Sequence, residues 1–307
     1  MGFANWFDRT TDRIQSEGWD GVRDGAYELY EGAWRTFGWH VPRGTNVYER
    51  DWDVLVILDA CRVDAMRNVA PEYDFLGPVD SMTSIGSMSQ EWMAKTFVDE
   101  YREEMAETAY VSGNVFTEEE LTADEFLLLD EVWKYAWDDE KGIVPPRPIT
   151  DRAIDVGREY DPERLIVHYM QPHHPFIAEG SSIEGVDADP FGRDGGETEF
   201  DALRRGEVSL EEFRAAYEDN LRLVLEDVSI LLSNLDADRV AITADHGDAF
   251  GEWGLYDHPA GCLHPAVKDV PWVETTATDD EDYDPEVEHG EASTIDPEER
   301  LADLGYL

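Results

Sequence analysis

The sequence predicts an α/β protein in which a mostly parallel central sheet carries helices on both faces. Three apolar runs predict it: DVLVILDA (53–60), RLIVHYM (164–170) and RVAITADHG (239–247). Each is continuous rather than alternating, as in strands buried on both faces, and each delivers an Asp or His at its end. Between the second and third lies SLEEFRAAYEDNLRLVLEDVSILLSNL. It opens with a capping box, Ser209 and Glu212, and keeps Tyr217, Leu221, Val224, Val228, Leu231 and Leu235 at helical spacing. Open sheets built from alternating strands and helices place their sites at the carboxyl ends of strands, so these polar residues converge on one edge.

In chain order, residues 1–50 form an N-terminal helical segment. There GVRDGAYELYEGAWRTFGW sets Tyr27, Tyr30 and Trp34 on one face. The flanking charge is not basic, so the stripe is expected to pack on the main domain rather than lie on a membrane. The main domain spans residues 51–275. Its middle, about 100 to 160, is acidic and helical, with a break at GIVPPRPIT. The stretch AEGSSIEGVDADPFGRDGGETEFD (178–201), rich in Gly, Ser and Asp, is expected to form a long loop or lid over the site. VPWVET (270–275) supplies a fourth strand, and residues 276–307 form an acidic linker and a short terminal helix.

Acidic residues number 71 against 24 Lys and Arg, a formal charge of −47 over 307 residues. Such a surface disfavours nucleic acid and anionic membranes as partners. It suits a halophile's cytosol, where concentrated salt screens repulsion within a few ångströms. A negatively charged substrate would need a locally positive site, which metal ions can provide. The two cysteines, Cys61 and Cys262, form no C-x-x-C motif and are too few for a disulfide framework. With no basic-then-apolar leader and no run near ~18 apolar residues, the expected location is the cytoplasm.

Asp245-His246-Gly247 follows a strand directly, and such a pair can bind one divalent ion from a single turn, with Gly permitting the bend. Alone, it reads equally as an acid-capped turn with a packed imidazole. Asp59 alone reads as a helix cap as readily as a ligand. His168 is either a hydrogen-bonded core histidine or a residue supporting the site.

Taken together and in order, VLVILDACRVDAM, HYMQPHHPF and YEDNLRLVLEDVSILLSNLDADRVAITADHGDAFGEWGLYDHP resemble the alkaline phosphatase superfamily. The resemblance is to its sulfatase-like and phosphoethanolamine or glycerol-phosphate transferase-like branches. VPWV and the terminal ERLADLGYL extend the similarity. The resemblance implies a three-layer sandwich and a catalytic domain over residues 51–275. It implies metal ligation by Asp59, Asp245 and His246, contact of His173 and His174 with a phosphate or sulfate group, and for His258 either ligation of a second metal ion or contact with the substrate. The implied cofactor is a divalent cation, with Mn, Zn, Mg and Ca undistinguished. Gln171 replaces a frequent Asp and Trp253 a frequent His, so one firmly held ion is expected and a second is in doubt.

The family nucleophile sits at a helix N-terminus after the first strand, where this chain has SMTSIGSMSQEWMAKTF. Ser87 is the first candidate, because Gly86 permits a close approach, and Ser89 the second. Thr83 and Ser84 belong to the turn, and one of the serines must cap the helix. Arg62 is a candidate for neutralising a substrate oxyanion, with Asp64 as its support. His264 lies near His258 in sequence, whereas His40 and His289 read as structural or exposed. The expected activity is metal-dependent hydrolysis or transfer of small-molecule, glycan or lipid phosphate esters by a seryl nucleophile. The alternatives are sulfuric ester hydrolysis on the same scaffold, although C-x-P-S-R is missing, and a non-catalytic metal-binding scaffold.

Overall fold

The computed structural model describes residues 10–11, 18–38, 40–41, 43–180, 183, 198–286 and 300. His289, the proposed terminal helix and most of the expected lid lie outside the described residues. Among the described residues, seven strands form one sheet in the order β2-β9-β6-β1-β5-β3-β4. They are β1 (Val54–Leu58), β2 (Asp80–Thr83), β3 (Thr108–Ser112), β4 (Leu128–Glu131), β5 (Arg164–Tyr169), β6 (Ala237–Thr243) and β9 (Asp269–Ala277). The pairs β6–β1, β1–β5, β5–β3 and β3–β4 are parallel, and only β9 runs against its neighbours. A separate hairpin joins β7 (Ala249–Phe250) to β8 (Tyr256–Asp257).

The four strands expected from apolar runs are β1, β5, β6 and β9. The segment 100–160, read as helical, also contains β3 and β4. TAYVS is only five residues long among glutamates, and LLDE is a half-exposed edge strand, so neither offers an apolar run long enough to stand out.

Helices cover both faces, as adjacent residues of β5 demonstrate. Successive strand side chains point to opposite faces. Tyr169 meets the hydroxyl of Thr150, 2.8 Å away in helix Pro146–Tyr160. His168 instead sets its ring edge-on to Trp92, 5.9 Å away in helix Ser89–Thr96. Helix Leu210–Leu232 joins the Thr150 layer, starting from the expected Ser209–Glu212 capping box. Its stripe Tyr217, Leu221, Val224, Val228 and Leu231 is fully buried. Each such side chain contributes about 1.5–3 kcal/mol relative to exposure, which holds the helix to the sheet.

The N-terminal helix Trp19–Gly38 packs on the β7–β8 region. Tyr27 exchanges hydrogen bonds with the Tyr256 backbone at 3.1 and 2.9 Å, and Trp34 stacks on Trp253 at 6.3 Å. Among the described residues, no helix is long and apolar enough to cross a membrane.

Candidate functional site

Parallel neighbours place their carboxyl ends together. Since β1 lies between β6 and β5, Asp59 emerges between Asp245 and His168. All three are fully buried, as is His246. The turn after β1 is tightly specified. Ala60 takes a left-handed φ of 62°, a region costly for a residue with a Cβ, and its N–H donates to Asp245 Oδ1 at 3.2 Å. Tyr217 donates to the Ala60 carbonyl at 2.6 Å and accepts from Arg62 N at 3.0 Å, clamping the turn.

The second oxygens remain for the site. Asp59 Oδ1, Asp245 Oδ2 and His168 Nε2 are buried and have no hydrogen-bond partner among the described residues. His246 Nε2 lies 3.4 Å from Asp59 Oδ1 and 3.5 Å from Asp245 Oδ2. Donation from His246 Nδ1 to the Gly247 carbonyl at 3.1 Å leaves Nε2 free to ligate. His168 Nε2 stands 3.6 Å from Asp59 and 3.8 Å from Asp245, with Nδ1 bonded to the Tyr110 hydroxyl at 2.7 Å. Burying two facing carboxylates with unpaired oxygens is costly unless a cation joins them. Asp59, Asp245 and His246 offer donor atoms within 4.8 Å of one another, an oxygen-and-imidazole set that fits a divalent ion. Against the upward push of burial, the neighbouring His246 and His168 hold Asp245 below the usual carboxylate range.

His246 also belongs to a second group with Asp248 and His258. Its ring is 4.4 Å from that of His258, whose Nδ1 contacts Asp248 Oδ1 at 2.8 Å and Asp257 Oδ1 at 2.5 Å. Burial would lower the His258 pKa, but these two acids hold it well above the ordinary value. His173 lies beside this group, 5.1 Å from the His258 ring and stacked on His174 at 4.5 Å. Burial, reinforced by the charge of His174, pushes His173 down to about 3. His174 faces Glu199 at 3.5 Å, which outweighs burial and raises its pKa.

The two serines part company. Ser89, the first residue of its helix, donates to Asp59 Oδ2 at 3.2 Å and lies 3.4 Å from His246 Nε2. Ser87 turns away and donates to Glu91 Oε2 at 2.6 Å. Arg62 is also engaged elsewhere. It bonds both oxygens of Asp64 at 2.8 and 2.9 Å, reaches Glu252 at 3.0 Å and donates to the Asp248 carbonyl at 2.5 Å. It therefore braces the second group's backbone rather than presenting a free fork to an oxyanion.

Gln171 points to the Val144 carbonyl at 3.0 Å, and Trp253 is 65% exposed, so neither departure from the family pattern stands inside the donor groups. His264 caps the helix Pro265–Lys268, and His40 is exposed. Asp248 and Asn114 were missed by the sequence reading. Asp248 occupies the acidic position after Asp-His-Gly and was legible there. Asn114, whose Nδ2 donates to Asp59 Oδ2 at 2.8 Å, follows a strand that no pattern announces.

No protein-family model and no curated protein matches the chain. Solved structures do. The soluble domain of lipooligosaccharide phosphoethanolamine transferase A from Neisseria meningitidis is similar at 14% identity, over 82% of this chain and 84% of that one, with a TM-score of 0.47. The C-terminal periplasmic domain of EcEptC from Escherichia coli, in complex with Zn, matches at 13% identity over 78% and 77%, with a TM-score of 0.44. A sulfatase described as putative, from Bacteroides thetaiotaomicron, matches at 12% over 73% and 64%, with a TM-score of 0.45. At these identities the likeness to a phosphoethanolamine transferase and a sulfatase is one of fold alone.

Proposed function

We propose that the chain is a metal-dependent hydrolase or transferase of phosphate esters with Ser89 as its nucleophile. One observation carries the reading: the Ser89 hydroxyl lies at a helix N-terminus against Asp59 and His246, beside buried carboxylate oxygens that lack partners. Asp59, Asp245 and His246 would hold a divalent ion, which lowers the pKa of a nearby hydroxyl and neutralises charge on non-bridging oxygens. As Ser89 Oγ attacks, its proton passes to Asp59 Oδ2, which accepts its hydrogen bond, and the new O–P bond forms as the ester P–O bond breaks. His258, whose pKa Asp248 and Asp257 raise, would protonate the leaving oxygen in this reading. Water, or an acceptor hydroxyl, then attacks phosphorus and gives its proton to His258, while Ser89 Oγ leaves and recovers its proton from Asp59. Cys61 is a poor substitute nucleophile, because burial holds its thiol well above the ordinary value.

The test is turnover of aryl phosphate, phosphodiester and aryl sulfate substrates by metal-loaded protein, with mass spectrometry of the quenched enzyme. Phosphate should be found on Ser89, and Ser89→Ala should lose at least about a thousandfold in kcat. Full turnover by that variant would exclude Ser89 as nucleophile, and hydrolysis of sulfate alone would favour a sulfatase.

A further inference from the structure

We infer that Ser87, Glu91 and Lys268 are positioning residues that fix the Ser89 hydroxyl, an inference that rests on Ser89 being the nucleophile. The helix Ser89–Thr96 has Met88 as its N-cap, which makes no side-chain capping bond. Glu91 reaches back in its place. Its Oε2 accepts from both Ser87 N at 2.9 Å and Ser87 Oγ at 2.6 Å, while Oε1 pairs with Lys95. From another element, Lys268 Nζ donates to the Gly86 carbonyl at 3.0 Å. The two residues before the cap are therefore gripped from both sides.

The same turn is tied to the donor groups. Ser84 Oγ donates to the Asp245 carbonyl and accepts from Gly86 N at 3.2 Å. A Cβ at Gly86 would come within 2.5 Å of the Trp92 backbone, so the turn lies directly on the helix it precedes. Ser87, Glu91 and Lys268 are all at most 2% exposed. Buried polar and ionic groups are a poor source of stability compared with well-packed apolar residues. What they supply here is a fixed geometry for the residue that follows. A misplacement of about 1 Å at a reacting group costs on the order of 10²-fold in rate.

The experiment compares full-length, metal-loaded variants on an aryl phosphate, normalised to folded protein. Ser87→Ala and Lys268→Gln should each lower kcat by about 10- to 100-fold. KM and Mn²⁺ affinity by calorimetry should stay within about threefold. Ser87→Thr, which keeps the hydroxyl, should restore kcat. Glu91→Gln, nearly isosteric, provides a second probe if another variant fails to fold, and it should lower kcat in the same way. Unchanged kcat in these variants, with Ser89→Ala inactive, would overturn the positioning role alone. Losses that track only the folded fraction would do the same. Wild-type turnover by Ser89→Ala would overturn the nucleophile assignment and this inference with it.

Discussion

Ser89 Oγ stands 3.2 Å from Asp59 Oδ2, although 30 residues and a strand crossover separate them. Ser87, two residues earlier, bonds Glu91 instead. The hydroxyl that meets the donor groups is thus selected by the first turn of one helix.

The response to metal should distinguish Asp245 as a ligand. In chelator, Asp245→Asn removes a carboxylate whose ionised form His246 and His168 favour, and should lower the thermal midpoint by a few degrees, about 2–4 °C per kcal/mol lost in a chain this large. With Mn²⁺ or Zn²⁺ added, the wild type should gain stability and the variant should not. Scanning calorimetry in chelator and in metal reads both. An equal metal-induced gain in the two proteins would remove Asp245 from the ligand set.

Lys268 gives the protein an alkaline stability signature. Burial lowers its pKa from the ordinary 10.5 to about 8, only partly opposed by Glu91. Between those values the unfolded chain holds a proton that the folded chain lacks, so this contribution to stability rises with pH across the window. Lys268→Met should flatten that rise, a difference of up to about 3 kcal/mol in urea denaturation between pH 7.5 and 10.5. Parallel curves for the two proteins would contradict the buried amine.

Tyr217→Phe removes one oxygen that serves two backbone groups, Ala60 O and Arg62 N. Both would be left unpaired in the interior beside a left-handed alanine. The expected loss is about 1–3 kcal/mol, read from the urea midpoint. A neutral result would mean that the turn after β1 holds itself.

Trp34 packs on the small cluster of Ala249, Leu255, Cys262 and Val267 rather than on the main core. Trp34→Ala should therefore speed amide exchange in helix Trp19–Gly38 by about tenfold or more while the global midpoint moves little. Exchange confined to global unfolding would instead make this helix part of the main cooperative unit.

The sequence by itself determined the central strands β1, β5 and β6 and the long helix Leu210–Leu232. Their signals are local: continuous apolar runs, a capping box and a helical stripe, each needing no distant partner to be recognised. It also determined that Asp59, Asp245 and His246 lie at strand ends, because strand direction follows from order along the chain. Tertiary structure decided what these residues face. Strand order alone brings Asp59 between Asp245 and His168. The choice of Ser89 over Ser87 depends on where Glu91 reaches, and the engagement of Arg62 depends on Asp64 and Glu252. Two hydroxyls two residues apart look alike in a sequence, but Ser89 opens the helix whereas Ser87 precedes its extended cap residue, so the two meet different neighbours.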